Sequence, residues 1–465
     1  MLSFSAPLLS VAHGILPWVE PEPYLAAWCA RPGAVALVSD GGAQGRFSYL
    51  LGEADAAADL GALNDAASFL KSATAFVCQD RADDLPPFTG GLVGVAGFEL
   101  GLRLENLPRA PFRIEGGPAW PELSVRRYPG VIAFDHRDQV LTIVGRGGTA
   151  EAAEAARDRL IALWQATEVR AVPSGPLIDA PLRLETPDPV HEDKVAAVVS
   201  QIHAGDLFQA NLARGWTGRL RPDRAPCDVI AALHAAGAAP FSAYVDFGGG
   251  RMLVSNSPER FIRLDRDGTL ETRPIKGTRP RGRNPGEDAA LAQELLASAK
   301  DRAENLMIVD LMRHDLAKVA QVGSVAVPVL NALETYANVH HLVSTVTARL
   351  GASRLEACLG AADVLLATLP PGSVSGAPKV QAMKVISAME AARGPYCGAL
   401  FTVDAGGAMD SSVLIRTIAL ESGPAGWNLR TAAGGGIVAD SDPREERIET
   451  ETKLSLIQTV LEGGT

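Results

Sequence analysis

The chain has 465 residues, which is long enough for two domains or for one large composite core. Apolar residues make up 47% of it and charged residues 21%, a globular composition that excludes global disorder. The formal net charge of -11 argues against a nucleic-acid-binding surface spread over the whole protein, but it leaves room for a local basic pocket that binds an acidic substrate.

Five cysteines are scattered along the chain without a Cys-x-x-Cys pair. We interpret them as reduced thiols rather than as disulfides or a zinc site. The segment before Trp18 lacks the basic stretch of a secretory signal, and no uninterrupted apolar run reaches the about 20 residues that a membrane helix needs. We therefore expect a soluble, cytoplasmic protein whose partners include neither nucleic acid nor a membrane.

The first part of the chain has short apolar runs separated by glycines. Residues 35–39 and 131–134 predict strands, and residues 88–95 predict a glycine-rich start of another strand. Residues 151–167 have helical spacing of their apolar positions. Residues 173–176 then break the pattern with two prolines and a glycine. We accordingly predict an N-terminal region up to residue 175 and a second region from residue 185 onward.

The second region combines helices and strands in clusters. Helices are predicted over 191–204, 291–319 and 378–392, and strands over 210–217, 242–247, 251–255, 261–264, 413–420 and 429–433. Ser298 and Asp301 form a capping pair that starts a new helix inside the second of these helical stretches. Asp442 and Pro443 have the N-cap and first-position preferences that begin a last helix. Clustering rather than strict alternation favours an α+β fold over a doubly wound parallel sheet.

Acidic residues recur at helical spacing in two of these helices. Glu446, Glu449 and Lys453 lie on one face of the last helix, because they are three and four residues apart. Two carboxylates on one face suit a hard cation such as Mg²⁺, although an exposed acidic face is the alternative. Asp301 and Glu304 repeat the spacing on another helix. The two helices could close one site from opposite sides, but the sequence alone does not bring them together.

Two glycine-containing segments are candidates for binding an anion. Gly434, Gly435 and Gly436 follow a predicted strand, and free backbone N–H groups in such a turn bind carboxylates or phosphates. A plain tight turn is the alternative. Residues 372–379 resemble a phosphate loop, but Pro378 stands where that motif needs its second glycine. We therefore reject a nucleoside triphosphate site and keep a carboxylate site at the Ser373 hydroxyl and the neighbouring amides.

Three polar residues stand inside predicted strands. Arg416 interrupts the apolar segment 413–420, so its guanidinium needs a carboxylate from the protein or from a substrate. His340 and His341 are adjacent and point to opposite faces of a strand, so they cannot form one chelate. We expect one of the two imidazoles to contact a substrate.

Lys276 lies in the most basic segment of the chain, residues 273–283, which also contains four arginines. Neighbouring positive charges lower the pKa of a lysine and increase its neutral, nucleophilic fraction. A basic surface loop is the alternative, and composition alone favours it.

Several of these segments occur in a characteristic order: 208–212, 257–261, 274–278, 303–311, 376–379, and the glycine triplet with its trailing acidic helix. This order resembles the chorismate-utilising enzymes, a family that includes anthranilate and isochorismate synthases. The similarity is strong over residues 190–460 and looser before them. It implies two packed antiparallel β-sheets flanked by helices, with the active site in a cleft between them.

The resemblance also implies a metal site and a general acid. Mg²⁺ would be held through Glu304 and Glu446, with Asp301 and Glu449 as direct or water-mediated ligands. Family members usually carry glutamate where Asp301 stands. Glu259 matches the residue that protonates the departing 4-hydroxyl of chorismate, a role for which burial must raise its pKa.

The positions that match substrate-contacting residues of the family are Gln209, His341, Ser373, Tyr396, Arg416, Gly434, Gly436 and Lys453. Among them, the arginine, the tyrosine, the serine and the glycine amides match groups that hold the enolpyruvyl carboxylate. The histidine matches one that lies near the substrate in the family, and the lysine would lie by the ring carboxylate.

Two positions distinguish the branches of the family. Water-using members carry a lysine base where Gln209 stands, so this chain resembles the ammonia-using members. Lys276 is characteristic of members that aminate carbon 4 of chorismate, whereas anthranilate synthases usually carry alanine there. In those members the lysine is a covalent nucleophile. The resemblance thus implies synthesis of 4-amino-4-deoxychorismate on the way to 4-aminobenzoate and folate.

The source of the ammonia is a further implication. We find no glutaminase segment in the chain, so ammonia is expected from a separate glutaminase subunit or from free ammonium. Removal of pyruvate is expected to need another enzyme. The competing hypotheses are an anthranilate synthase large subunit and a non-catalytic protein that binds chorismate or tryptophan for regulation.

Overall fold

The computed structural model describes residues 8–42, 44–60, 66–74, 85–336, 339–351 and 359–464. Within these ranges no helix combines the length and the apolar character that crossing a membrane requires. Cys29, Cys227 and Cys397 are buried free thiols, as predicted, while Cys78 and Cys358 lie outside the described residues.

The strands and helices are numbered in chain order. The strands are β1 Ser10–Leu16, β2 Val35–Val38, β3 Phe47–Leu51, β4 Ala56–Leu60, β5 Gly91–Ala96, β6 Leu123–Tyr128, β7 Gly130–Asp135, β8 Val140–Gly147, β9 Arg183–Leu184, β10 Gln209–Arg219, β11 Phe241–Asp246, β12 Arg251–Ser257, β13 Arg260–Leu264, β14 Thr269–Thr272, β15 Ile275–Pro280, β16 Ala326–Thr335, β17 Val339–Arg349, β18 Gly376–Ala377, β19 Ala399–Asp404, β20 Met409–Val413, β21 Thr417–Gly423 and β22 Gly426–Ile437. The α-helices are α1 Leu25–Cys29, α2 Ala66–Ala73, α3 Phe98–Leu104, α4 Ala150–Gln165, α5 Asp188–His203, α6 Pro226–Gly237, α7 Pro285–Ala297, α8 Ala299–Ala317, α9 Ala361–Thr368, α10 Lys379–Met389 and α11 Pro443–Glu462. Short 3-10 turns span Glu22–Tyr24 and Gly372–Val374.

The strands form two antiparallel sheets. The first sheet has the order β1-β8-β7-β3-β2-β11-β12-β21-β22-β10-β18, with β9 also beside β10. The second has the order β15-β17-β14-β13-β20-β19-β5-β6-β4, with β16 also beside β17. The predicted α+β class is therefore confirmed. Both regions of the sequence contribute to both sheets, because β2 pairs with β11 in the first and β5 pairs with β19 in the second.

The two sheets pack face to face around an apolar interior. Val35 and Leu253 of the first sheet belong to the same buried cluster as Val95 and Leu400 of the second. Helices cover the outer faces: α4, α6 and α11 pack on the first sheet, and α8 and α9 pack on the second. Each fully buried aliphatic side chain contributes about 1.5–3 kcal/mol to folding, so this double layer is a rigid frame for groups that line the cleft.

Two predicted helix starts are confirmed at the caps. The Ser298 side chain accepts a hydrogen bond from the Asp301 N–H at 3.2 Å, and it divides the predicted helix 291–319 into α7 and α8. Asp442 accepts from the N–H groups of Arg444 and Glu445, each at 3.0 Å, and so begins α11. An N-cap of this kind stabilises a helix by about 1 kcal/mol.

Two local predictions are wrong. The stretch 413–420 is not one strand: β20 ends at Val413 and β21 begins at Thr417, and the residues between them cross from the second sheet to the first. Arg416 lies in that crossing with a φ of 50°. The glycine triplet is not a turn either, because β22 continues through it to Ile437 and pairs with β10. An apolar pattern indicates that a segment is buried, but not whether it continues as one strand. Most residues of both segments are buried, so the pattern could not show where each strand ends.

Candidate active site

Lys276 and Glu259 come together through one short turn. Lys276 lies in β15, and its Nζ donates to the backbone oxygen of Ser373 at 3.3 Å. The Ser373 hydroxyl donates to the carboxylate of Glu259, which lies just before β13. Three residues that the sequence analysis placed in one site are therefore in contact or one hydrogen bond apart.

A β-bulge sets the direction of Lys276. The pairing of β15 with β17 shifts between Lys276 and Thr278, and Gly277 sits in the shift with a φ of 79°. A Cβ on Gly277 would lie 2.9 Å from Cγ of Asp301. Only glycine fits this conformation and this approach, and bulges commonly re-aim a neighbouring side chain.

Glu259 has the properties of a general acid. Burial raises its pKa to about 7, although the Ser373 hydrogen bond and the positive charge of Lys276 favour the ionised form. The residue is 6% exposed. A carboxylic acid that keeps its proton up to about pH 7 can donate it to a departing hydroxyl.

Burial also favours the neutral form of Lys276. It lowers the pKa of the amine, with a further contribution from the charge of Lys453, while Glu304 acts in the opposite direction. The arginines of residues 273–283 are not the cause, contrary to the sequence-based hypothesis. They are engaged in ion pairs: Arg273 with Glu334, Arg279 with Glu294 and Asp301, Arg281 with Asp288, and Arg283 with Glu287. The segment is an edge strand rather than a surface loop.

Glu304, Glu446 and Glu449 converge from α8 and α11. Burial raises the pKa of Glu304, and the charge of Glu449 adds to the shift. Burial likewise raises the pKa of Glu446, and the charge of Glu449 adds to the shift. A 2.6 Å hydrogen bond from the Ser441 hydroxyl acts in the opposite direction. Glu449 therefore lies within electrostatic range of both Glu304 and Glu446, although the sequence alone did not bring the two helices together.

One oxygen of this group has no partner. Oε2 of Glu446 is buried without a hydrogen bond, whereas Oε1 of Glu449 is paired with Nζ of Lys453 at 2.5 Å. Within the described ranges, no three His, Cys, Asp or Glu side chains are close enough to hold a metal ion by themselves. Mg²⁺ typically takes one or two carboxylates and keeps several waters, so an orphaned carboxylate oxygen among other acids fits such an ion.

Asp301 lies within electrostatic range of Glu304, whose pKa its charge helps to raise, but it is engaged with other partners. Its Oδ2 lies 3.3 Å from Nη2 of Arg279, and its N–H caps α8 on Ser298. Lys300, which the sequence analysis did not select, lies 4.0 Å from Glu304 and favours the ionised form of Glu446. The spacing of Lys300 and Glu304 on one helix was visible in the sequence, whereas the proximity of Lys300 to Glu446 on α11 was not.

The glycine triplet allows close approach of three side chains. Gly434 accepts a hydrogen bond from Nζ of Lys453 at 2.9 Å. A Cβ on Gly435 would lie 2.9 Å from Oε2 of Glu446, and a Cβ on Gly436 would lie 2.0 Å from Nε2 of Gln209. Strand β21 stops pairing with β22 at Thr431, so one edge of residues 432–437 has no partner strand in the described part of the chain.

Arg416 and His341 form the other end of the site. Among the described residues, no hydrogen bond or ion pair engages the guanidinium of Arg416, and burial lowers its pKa. Burial and the charge of Arg416 lower the pKa of His341 to about 4, so this imidazole is neutral. Its Nδ1 lies 2.9 Å from the Thr278 hydroxyl. His340 bonds to Asp288 instead, on the opposite face of β17, as predicted.

Tyr396 is buried in the core of the second sheet, and burial raises its pKa well above the usual value. The neighbouring Cys397 thiol lies within electrostatic range of Glu259. Lys379 has a structural role, since its Nζ donates to the backbone oxygens of Thr368 and Pro370 at 2.8 Å each and pairs with Asp315. The Lys379 amine is thus fully engaged by protein groups and is not available to bind a phosphate, in agreement with the rejection of a nucleoside triphosphate site.

Comparison with known proteins identifies the class. Residues 36–459 match the family model described as chorismate binding enzyme, so the chain belongs to this enzyme family. It is 41% identical over 379 residues to aminodeoxychorismate synthase component 1 of Klebsiella aerogenes, covering 81% of this chain and 78% of that protein. Anthranilate synthase component 1 of Streptomyces coelicolor is 36% identical over 393 residues, covering 81% and 74%. Among solved structures, anthranilate synthase component I from Streptococcus pneumoniae has a TM-score of 0.75 at 28% identity, covering 88% and 92%.

Proposed function

We propose that this enzyme replaces the 4-hydroxyl of chorismate with an amino group from ammonia, giving 4-amino-4-deoxychorismate and water. The observation that supports this reaction most directly is the connection of Lys276 to Glu259 through Ser373. A nucleophilic amine and a carboxylic acid are the two groups that a covalent displacement at this hydroxyl needs.

The reaction divides into two displacements. The lone pair of neutral Lys276 forms a bond to carbon 2, both ring double bonds shift, and the carbon 4–oxygen bond breaks. Glu259 gives its proton to the departing hydroxyl, which leaves as water. Ammonia then forms a bond to carbon 4, the double bonds shift back, and Lys276 leaves with its electron pair. The added nitrogen returns a proton to Glu259, so atoms and charges balance.

The groups around this pair support ammonia rather than water as the nucleophile. Gln209 is 1% exposed and cannot take a proton from water, because an amide is not a base at neutral pH. Arg416, without a protein carboxylate, is available for the enolpyruvyl carboxylate through a bidentate pair. The neutral His341 beside it donates or accepts a hydrogen bond without adding a charge.

Mg²⁺ is part of the proposal. Glu446 and Glu304 would hold it, and Glu449 would act nearby or through a bridging water, because a cation would satisfy the buried Glu446 oxygen that has no hydrogen-bond partner. Asp301 has the weakest case as a ligand, since it is paired with Arg279. The bound ion would orient the ring carboxylate of chorismate, next to which Lys453 stands.

A separate glutaminase subunit would supply the ammonia. The name component 1 of the Klebsiella aerogenes relative indicates that a second component exists for that protein. We extend this arrangement to the present chain and place its reaction in the cytoplasmic supply of 4-aminobenzoate and folate, with pyruvate removed by another enzyme.

Incubation of the pure protein with chorismate, Mg²⁺ and ammonium tests the proposal. We expect 4-amino-4-deoxychorismate by liquid chromatography and mass spectrometry, and 4-aminobenzoate when a lyase that removes pyruvate is added. Fluorescent anthranilate as the product would establish amination at carbon 2 and overturn the proposal. Absence of turnover at any ammonium concentration would favour a regulatory protein on this scaffold.

A further inference from the structure

Arg393 is a buried cation that the proposed reaction does not use. It follows α10 and is 2% exposed. Its guanidinium is paired with Glu390, since Nε donates to Oε2 at 2.8 Å and Nη2 donates to Oε1 at 2.9 Å. Burial opposes the charged form, but the carboxylate of Glu390 and other neighbouring groups more than compensate, so the pKa of the guanidinium lies above its usual value. The protein therefore keeps a full charge in its interior, which is costly unless every donor is used.

The remaining donors of Arg393 connect the turn that contains Ser373 to β10. Nη1 donates to the backbone oxygen of Val374 at 3.1 Å, and Nη2 donates to that of Asn211 at 2.6 Å. The Asn211 N–H donates in turn to the backbone oxygen of Ser375 at 2.8 Å. A planar guanidinium has donors in several fixed directions, whereas a lysine carries all its donors on one atom. One side chain thus fixes the turn relative to the strand.

A second buried cation holds the other end of the turn. Nζ of Lys379 donates to the backbone oxygen of Pro370 at 2.8 Å, two residues before the turn begins. Arg393 holds Val374, directly after Ser373. The serine between these two attachments is the residue that contacts both the proposed nucleophile and the proposed acid. Its position therefore depends on the two cations.

Helix α3 fixes Arg393 itself. The Arg393 N–H donates to Oε1 of Glu99 at 2.7 Å, and the Gly394 N–H donates to Oε2 of the same carboxylate at 2.9 Å. The guanidinium carbon lies 4.5 Å from the centre of the Phe98 ring. The backbone and the side chain of Arg393 are thus both anchored, so the guanidinium is a rigid support for the turn.

We propose that Arg393 is a positioning residue, whose hydrogen bonds to Val374 and to β10 hold the Ser373 turn where it aligns Lys276 with Glu259. A displacement of about 1 Å in a reacting group can cost on the order of a hundredfold in rate. This inference rests on the proposed amination, and it adds a residue that the sequence analysis did not select.

A displaced turn has two consequences in the active site. The amine of Lys276 loses a fixed acceptor, the backbone oxygen of Ser373. The Ser373 hydroxyl also favours the ionised form of Glu259 and thereby opposes burial, so its loss raises the pKa of this acid further above the usual value. Lys276, Lys453 and the Cys397 thiol act on the same carboxyl group, and the substitutions described below leave all three in place.

The pH dependence of kcat/KM for chorismate in Arg393→Lys tests the inference, with ammonia saturating at each pH. Lysine keeps the charge beside Glu390 but cannot reach Val374 and Asn211 together. We expect kcat to be about tenfold to a hundredfold lower. We also expect the pH at which kcat/KM falls to half its maximum to rise by about one unit, since Glu259 keeps its proton longer.

Ser373→Ala makes the test specific to the turn. This variant removes the hydroxyl and should raise the midpoint of the pH profile by a similar amount by itself. Because Arg393 acts through Ser373, the addition of Arg393→Lys to Ser373→Ala should move the midpoint no further. Additive shifts would mean that Arg393 acts on the acid by another route, and they would overturn the inference.

A second variant covers the case in which Arg393→Lys does not fold. Arg393→Met combined with Glu390→Gln removes both charges, so no unpaired charge remains buried, and it should shift the midpoint in the same direction. Arg126→Lys is the matched control. Arg126 is also buried, pairs with Asp59 and donates to the backbone oxygen of Phe247 at 2.6 Å, and this variant should keep the wild-type midpoint.

A wild-type pH profile in Arg393→Lys would overturn the inference. A lower rate with an unchanged midpoint would also overturn it, because that result indicates a general loss of structure rather than a displaced Ser373 hydroxyl. Failure of the wild-type protein to aminate chorismate contradicts the proposed function instead, so the two failures are distinguishable.

Discussion

The amine of Lys276 lies 3.3 Å from the backbone oxygen of Ser373, on a turn that belongs to a different part of the chain. The hydroxyl of the same serine bonds to Glu259. One turn therefore connects the proposed nucleophile on β15 with the proposed acid, which lies just before β13. Their alignment depends on the bulge at Gly277 and on the position of the Gly372–Val374 turn.

Replacement of Lys276 should remove the nucleophile. Lys276→Ala is expected to slow formation of 4-amino-4-deoxychorismate by about a thousandfold or more, while chorismate still binds. The measurement is product formation by chromatography with ammonium as the nitrogen source. Lys384→Ala changes an exposed lysine of α10 and should have the wild-type rate. A wild-type rate in Lys276→Ala would exclude the covalent mechanism.

Glu259→Gln should lower the rate by about a hundredfold to ten-thousandfold, because the departing hydroxyl loses its proton donor. In the wild-type enzyme kcat/KM should fall as the pH rises above about 7, where Glu259 loses its proton. The glutamine variant should lack this fall. A pH profile that is the same for both proteins would contradict the assignment.

The same substitution should increase stability at alkaline pH. The folded protein holds the Glu259 proton up to a pKa of about 7, whereas the unfolded chain releases it near 4.5. Ionisation of the carboxyl therefore costs no stability below about pH 4.5, its cost grows between pH 4.5 and about 7, and it stays constant at higher pH. Glu259→Gln removes this cost, so the free energy of unfolding at pH 8 should increase by as much as about 3 kcal/mol. Urea unfolding at pH 5 and pH 8 measures the difference, and an equal or lower stability at pH 8 would contradict it.

The metal assignment predicts a loss specific to Glu446. Glu446→Gln should abolish both activity and its dependence on Mg²⁺, since the orphaned oxygen loses its charge. Glu445→Gln, at the exposed neighbouring position of α11, is the control and should keep the Mg²⁺ dependence of the wild type. Titration of Mg²⁺ into a chelator-treated enzyme gives the measurement. Full activity of Glu446→Gln would refute this role.

Arg416→Met should weaken binding of chorismate. A charge-assisted hydrogen bond to a carboxylate contributes about 1.5–3 kcal/mol, which corresponds to a tenfold to hundredfold higher KM for chorismate. The KM for ammonium should change little, because the two substrates bind through different groups. A variant with unchanged KM for chorismate would show that the enolpyruvyl carboxylate is bound elsewhere.

Local patterns in the sequence predicted the secondary structure well where the residues that determine it are close together in the chain. Ser298 and Asp442 begin their helices as expected, since a cap depends on residues only three positions apart. The ordered motifs also predicted that Lys276, Glu259 and Ser373 share one site. Periodicity failed at Arg416 and at the glycine triplet, because a buried crossing and a buried strand have the same apolar pattern.

Tertiary contacts were beyond the sequence. The arginines near Lys276 are neutralised by carboxylates from α7, α8 and β16, so the like charge that acts on this lysine is Lys453 from the last helix. The hydrogen bond from Ser373 to Glu259 and the approach of the Gln209 side chain to Gly436 depend on the packing of separate segments. A sequence pattern predicts which residues lie close together on one helix or strand, but it does not predict which residues of other segments they contact.

The seams β2–β11 and β5–β19 join the early and late parts of the chain in each sheet. A polypeptide cut between residues 175 and 185 would leave each fragment with two unpaired strand edges and with only part of the apolar interior between the sheets. Neither fragment could persist by itself as a folded body, although the two could reassemble along both seams when produced together. During synthesis on the ribosome, the cleft can therefore be completed only after α11 has emerged. This last helix carries Glu446 and Lys453 to strands that were synthesised earlier.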